Sequence, residues 1–275
     1  MTSSLDSSIL LVGCGKMGGA MLAGWIDRGL AANRVLVVEP APALRQQAAD
    51  TFGVATVATA DALPESVRPD VVVLAVKPQA MTDVVPEYRR FATVDTVFLS
   101  IAAGKTLAWF AQRLGSAAAI VRAMPNTPAA IRRGMTVACA NLHADKAQRR
   151  RCDALLTAVG EVAWVEEETM MDAVTAVSGS GPAYVFLLAE ALAAAGAAAG
   201  LPADLAARLA RATVAGSGEL LRIASESPAI LRQNVTSPGG TTAAALAVLM
   251  GDNGMESLLT AAVNAATRRS RELAG

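Results

Sequence analysis

Three glycines, one acid and two short serine–glycine–proline stretches hold most of the chemistry this chain could perform. Gly13, Gly15 and Gly18 stand in G-x-G-x-x-G order within LLVGCGKMGGAM. The pattern follows an apolar strand and opens a helix, the context in which it cradles a dinucleotide. Gly13 allows the tight turn, Gly15 the approach of a pyrophosphate, and Gly18 close contact of helix with sheet. The pyrophosphate would rest on unpaired amides at the helix's positive end. Glu39 closes the second strand, 39 − 18 = 21 residues after Gly18, near the roughly 20 expected of a ribose-binding acid. A carboxylate there accepts from ribose hydroxyls and repels a 2′-phosphate, so Glu39 leans the cofactor towards NADH. Arg34 and Arg45 are close enough in sequence to blunt that repulsion.

Three further strand ends, AVKPQ (75–79), SIAAGK (100–105) and RAMPNTP (122–128), fall where ligands bind in an open parallel sheet. These loops could line the cofactor; Pro78, Pro125 and Pro128 stiffen them, and Asn126 offers the cofactor both donors and an acceptor. Lys77 reads either as a catalytic lysine or as a solvated, phosphate-facing one; no neighbouring residue type signals a lowered pKa. The remaining candidates form two helix entrances. Ser178, Gly179, Ser180 and Gly181 precede Pro182, a residue suited to the first helical position. Ser237, Gly239 and Gly240 precede Thr241 and Thr242, either of which could cap the next helix. Both stretches read as ordinary caps or as backbone cradles for a substrate carboxylate, and spacing leaves the two readings open.

The elements that must position these residues divide into two kinds. Apolar runs at 9–13, 35–39, 71–76, 96–101 and 119–124 lack clean alternation, as expected of parallel strands covered on both faces. Helices at about 17–29, 43–51, 80–91 and 106–114 alternate with them, which predicts βαβ units in a doubly wound α/β sheet. Two more strands at 134–140 and 160–166 flank a helix over 146–158. Beyond 167 the pattern predicts helices alone: 168–177, 182–199, 203–224, 242–250 and 255–273. The boundary therefore falls near 165–168, giving a dinucleotide-binding domain (1–166) and a helical domain (167–275).

Composition narrows the function. Of 275 residues, 24 are Lys or Arg and 24 are Asp or Glu, so no net field favours nucleic acid or an anionic membrane. The single histidine, His143, lies in a polar turn and makes a histidine base or a zinc site improbable. Cys14, Cys139 and Cys152 show no metal spacing and no disulfide framework. Cys14 reads as packing against the sheet or as a thiol activated by the helix N-terminus. The N-terminal stretch lacks a basic start and a long apolar run, so we expect a cytoplasmic protein. The stretch 182–201 is long enough to span a bilayer, but Glu190 at its middle argues for an internal helix, with Arg208 or Arg211 as partner.

The segments GCGKMGGAM, AVKPQ, VRAMPNTPAAIRRGM, DAVTAVSGSGPAYVF and NVTSPGGTTAAAL together closely resemble the pyrroline-5-carboxylate reductase family, from about residue 9 to 273. The resemblance implies reduction of the cyclic imine Δ1-pyrroline-5-carboxylate to L-proline by NADPH or NADH, the last step of proline biosynthesis. It implies cofactor contacts at Val12, Gly13, Cys14, Gly15, Lys16, Met17 and Gly18, at Ala75, Lys77 and Pro78, and at Ala102, Ala103 and Gly104. The substrate carboxylate would lie on the backbone from Ser237 to Thr241, with the Thr242 hydroxyl on the ring nitrogen as the catalytic contact. It also implies a homodimer through the helical half, with dimers able to assemble as a pentamer of dimers. The second strand ends in EPAP, where NADPH-using members often carry small polar or basic residues. A protonated imine is already an electrophile, so alignment suffices where no acid or base is available. Two rivals remain: a related reductase with a catalytic lysine on its second half, opposed by the absence of lysine after Lys146, and a nicotinamide sensor without turnover.

Overall fold

The computed structural model describes residues 6–274. They form two compact units: one runs to Gly179 and regains the chain from Ala266 onward, the other spans Ser180–Ala265. The segment between residue 167 and Gly179 packs on the sheet unit. Met171 is fully buried there in a cluster with Val137 and Cys139.

The first unit is an eight-stranded sheet in the order β3-β2-β1-β4-β5-β6-β7-β8. Its strands are β1 (Ile9–Val12), β2 (Val35–Val38), β3 (Ala55–Val57), β4 (Val71–Leu74), β5 (Val97–Ser100), β6 (Ala119–Met124), β7 (Gly134–Ala140) and β8 (Gly160–Trp164). All neighbours are parallel except β6 and β7. Helices α1 (Lys16–Asp27), α2 (Pro42–Phe52), α3 (Met81–Val84), α4 (Leu107–Leu114), α5 (Lys146–Thr157) and α6 (Met171–Val174) complete it. Alternate strand residues serve opposite faces. Leu11, Val37, Val73 and Leu99 pack with Trp25 and Leu155, while Leu10, Val72, Leu74 and Phe98 pack with Tyr88 and Phe110. Both faces are covered, which is why the strands read as continuous apolar runs.

Three local expectations change. A short β3 adds to the edge beyond β2, where the sequence shows only Ala55-Thr56-Val57, too short and mixed to read as a strand. The single helix expected over 80–91 is broken into α3 and a 3-10 segment, Val85–Phe91, because Pro86 supplies no amide to an α-helical ladder. The helix expected over 168–177 is a 3-10 turn, then α6, then a π-helical stretch, Thr175–Gly179.

The second unit is helical. It contains α7 (Gly181–Ala198), α8 (Ala203–Ile223), α9 (Pro228–Asn234), α10 (Thr241–Leu249) and most of α11 (Met255–Ala274). Helix α9 lies between the helices expected over 203–224 and 242–250 and is an addition to them; Ser227 caps it by accepting from the Ile230 amide, and Pro228 opens it. Helices α7 and α8 pack closely where a Cβ on Gly196 would lie 3.2 Å from that of Ala206. Much apolar surface stays uncovered: Phe186, Leu187, Leu221, Val248 and Leu258 are all at least half exposed. Glu190 is also exposed and, among the described residues, forms no ion pair with Arg208 or Arg211. Glu168–Ala198 is the one stretch of the described residues long and apolar enough to cross a bilayer, by length and composition.

Candidate functional site

The glycine loop joins β1 to α1 at the switch point of the sheet, where β2 lies on one side of β1 and β4 on the other. Gly13 has φ +90, and a Cβ there would lie 2.9 Å from the Ala75 carbonyl oxygen. Gly15 is the N-cap of α1 and makes no side-chain cap bond. A Cβ on it would meet nothing within 4 Å, so the loop leaves an open space over the helix's first amides. That cradle fits a pyrophosphate. Gly18 is packed hard against the loop: its Cβ would run into the Gly13 carbonyl oxygen. The backbone thus gives Gly13 a tight turn and Gly18 a close approach to the loop, and leaves space over Gly15.

A cavity of about 520 Å³ extends from this loop. Val12, Gly13, Gly15, Glu39, Ala75 and Lys77 line it, so residues from three separate segments of the sequence meet here. Cys14, Gly15 and Lys16 line a smaller neighbour together with Leu44. Lys77 is exposed and Pro78 opens a 3-10 turn after it, which matches the solvated reading of that lysine. Met17 packs partly buried on the sheet. Ala102 and Gly104 are buried in the β5–α4 loop, with Ala103 half-buried between them. Gly104 has φ +71 and faces the Leu273 carbonyl oxygen, where a Cβ would come within 3.2 Å.

Glu39 is 6% exposed. Its Oε2 accepts from the Cys14 amide at 2.8 Å and its Oε1 from the Ala41 amide at 2.9 Å. The carboxylate therefore ties the end of β2 to the glycine loop, an arrangement that sequence spacing does not reveal. Arg34 begins the opposite end of β2 and pairs with Asp6, so it cannot act at this cleft. Arg45 is at the right end, donating from Nη1 to the carbonyl oxygens of Glu39 and Pro40. The Cys14 thiol is buried; desolvation, with a smaller push from the Glu39 charge, raises it to about 11. This corrects the activated-thiol reading and favours packing.

Asn126 follows β6 and is engaged at both ends. Its Oδ1 accepts from the Met135 amide at 2.9 Å, and its Nδ2 donates to the Ser178 carbonyl oxygen at 3.1 Å. Pro182 has no amide, so the carbonyl four residues before it lacks a helical donor, and Asn126 supplies one. The Ser178 hydroxyl donates to the Val174 carbonyl. Gly179 lies against Met124, whose Cε stands 2.5 Å from where a Cβ would be. Ser180 keeps right-handed helical dihedrals, φ −86 and ψ −22. The first of the two entrances is consequently a π-helical joint that runs into α7, with the Ser178 hydroxyl and carbonyl both bonded internally.

The second entrance differs. Ser237–Gly240 forms a turn closed by the Gly240 amide on the Ser237 carbonyl, and Gly239 takes φ +71. Gly240, not a threonine, is the N-cap of α10, and no side chain caps it. The first amides of α10 therefore receive no side-chain cap. Thr241 is exposed and Thr242 half-buried, both with hydroxyls free of capping duty. Among the described residues no group of three His, Cys, Asp or Glu side chains could hold a metal ion.

Comparison with known proteins decides the family. A family model described as pyrroline-5-carboxylate reductase dimerisation matches residues 168–273, and one described as NADP oxidoreductase coenzyme F420-dependent matches residues 8–104. The pyrroline-5-carboxylate reductase of Pseudomonas aeruginosa is 40% identical over 97% of this chain and 96% of its own. The chain belongs to the pyrroline-5-carboxylate reductase family. The Synechocystis reductase is 43% identical over 96% of this chain and 97% of its own. The solved reductase of Coxiella burnetii superposes with a TM-score of 0.92 at 37% identity, covering 98% of this chain and 99% of that one. The Plasmodium falciparum enzyme, solved with NADP bound, gives 0.82 at 26% identity over 99% and 100%. Within this family of reductases the helical segment is the dimerisation region, which accounts for the exposed apolar faces of α7, α8 and α11.

Proposed function

We infer that this protein reduces Δ1-pyrroline-5-carboxylate to L-proline with NADH or NADPH, the last step of proline biosynthesis. The observation that carries the inference is full-length similarity to enzymes of that name at 40% and 43% identity. The local chemistry supports it.

The bound nicotinamide supplies a hydride for the imine carbon. The chain's own residues hold and orient. Residues 12–18 cradle the nucleotide, helped by Ala75, Lys77 and Pro78 and by Ala102, Ala103 and Gly104. The uncapped start of α10 supports binding of the substrate carboxylate by backbone from Ser237 through Gly239 and Gly240 to Thr241, with no arginine required. Thr242 orients the ring nitrogen through its hydroxyl. Ser178, Gly179 and Ser180 serve the substrate through backbone shape, since the Ser178 hydroxyl is already bonded. Asn126 acts behind them by fixing the Ser178 carbonyl. Catalysis is then alignment of a pre-activated electrophile.

The exposed apolar helices support pairing of two copies. We assign that covering to a second chain and not to lipid, because Glu190 sits exposed amid the apolar residues of α7. The enzyme is taken to be cytoplasmic, with five dimers assembling as a decamer; light scattering after gel filtration measures the assembly. The deciding test is the loss of reduced-nicotinamide absorbance on adding Δ1-pyrroline-5-carboxylate, with proline identified as product. Binding of nucleotide without turnover would refute the assignment in favour of a sensor.

A further inference from the structure

The nucleotide cleft has an uneven distribution of charge. We propose that this protein selects NADH over NADPH, and that Glu39 sets the selection as a fixed anion at the end of β2. The proposal rests on the reading of the chain as a nicotinamide-dependent reductase, and goes beyond it by naming the form of the cofactor.

Glu39 cannot turn aside. Its two oxygens accept the Cys14 and Ala41 amides at 2.8 and 2.9 Å, and swinging it out would orphan both donors. Each oxygen retains a lone pair for a ribose hydroxyl. Glu39 therefore presents a buried negative charge to the position where NADPH differs from NADH.

Among the described residues no Lys or Arg lines the cleft beside β2 and β3; Arg90 donates to the Ala60 carbonyl oxygen at 3.1 Å but lines a different cavity. The cleft's other lining groups near β2 and β3 are Thr59 and Asp61. Glu87 is also in the lining, and Lys77 follows β4, which β1 separates from β2. Lys16 belongs to the first turn of α1, beside the pyrophosphate cradle. Arg34 is at the far end of β2 with Asp6, and Arg45 is engaged by two backbone carbonyls. A 2′-phosphate would give up the hydroxyl's bond to Glu39, face Glu39 and Asp61, and find no guanidinium among the described residues that line the cleft. A site built to accept from a hydroxyl discriminates strongly against its loss, and like charges add to that.

The test uses the whole enzyme. Initial rates with Δ1-pyrroline-5-carboxylate are measured with NADH and NADPH, and NAD+ and NADP+ binding is measured by calorimetry without substrate. We expect kcat/KM with NADH to exceed that with NADPH by about tenfold or more, the gap shrinking as salt screens the repulsion. Glu39→Ser should bring the two within about threefold, mainly by lowering the KM for NADPH. Glu39→Gln, which keeps the size and removes the charge, should act in the same direction. Equal rates with both cofactors in the unaltered enzyme would overturn the proposal, and would mean that Arg45 leaves its carbonyls for the phosphate. Tighter NAD+ than NADP+ binding with no turnover would leave the selection standing and refute the reductase reading. If neither nucleotide binds, both fall.

Discussion

The buried ion pair between β6 and the segment leading to α6 gives the sharpest stability prediction. Arg122 is 4% exposed, and its Nη1 donates to Glu168 Oε1 at 2.8 Å. The same oxygen accepts the Leu107 amide at 2.8 Å, at the first residue of α4. Among the described residues Glu168 is Arg122's only ion-pair partner. Glu168→Ala would strand a guanidinium in the core, which costs about 3–5 kcal/mol for a fully buried pair. Because the glutamate side chain is 27% exposed, water can reach part of the gap, and we set the expected loss at about 3 kcal/mol. For a chain of this size each kcal/mol moves the midpoint by about 2–4 °C, so the thermal midpoint should fall by about 6–12 °C. Differential scanning calorimetry at one protein concentration measures it, with exposed Glu167→Ala as a control expected to change little. Replacing the pair by Arg122→Met and Glu168→Leu together should recover much of the loss. A midpoint for Glu168→Ala within 2 °C of the unaltered protein, on the order of 1 kcal/mol or less, would refute the reasoning.

Three further outcomes follow from the site. Gly15→Ala should fold normally yet bind nucleotide poorly, since its Cβ enters the open cradle, whereas Gly18→Ala should lose about 1–3 kcal/mol of stability as well, because its Cβ strikes the Gly13 carbonyl; unfolding curves alongside nucleotide titrations separate them. Thr242→Ala should lower kcat by about 10–100-fold with nucleotide affinity nearly unchanged, and unchanged turnover would remove Thr242 from the mechanism. The Cys14 and Cys139 thiols, raised chiefly by burial to about 11 from 9.0, should react slowly with iodoacetamide at pH 8 until urea exposes them. For the same reason the unfolded chain gives up these protons first: the stability the neutral thiols provide is complete below about pH 9 and is lost as pH climbs towards 11. A urea midpoint that stays level across that range would contradict this.

Much of the first unit is legible because its physics is local. Parallel strands buried on both faces must be apolar runs, and the glycine loop needs its residue types at fixed spacing. What escaped the sequence depends on partners far along the chain. Glu39 is correctly placed at the strand end, but its lock on the Cys14 amide links positions 25 apart. Asn126 reads as a ligand-facing amide, whereas its nearest demand is a carbonyl that Pro182 leaves without a donor. The SGSGP stretch looks like a helix start because serine, glycine and proline serve starts and π-helical joints alike. Thr241 and Thr242 look like caps, and only the backbone dihedrals assign that position to Gly240. The fold class and the family were thus readable; which polar atoms remain available to a ligand was not.

The last turns of α11 carry a consequence for the chain's slow motions. Helix ends ordinarily fray, and their amides exchange with solvent within the first fluctuations of the native state. Here Ser270 is 5% exposed and its hydroxyl donates to Asp172 Oδ1 at 2.7 Å, while Leu273 covers Gly104 in the β5–α4 loop. The C-terminal turns are thereby joined to the same cooperative unit as the sheet. Their amides should exchange more slowly than those of an unanchored helix end, and clipping them should loosen a loop some 170 residues earlier in the chain.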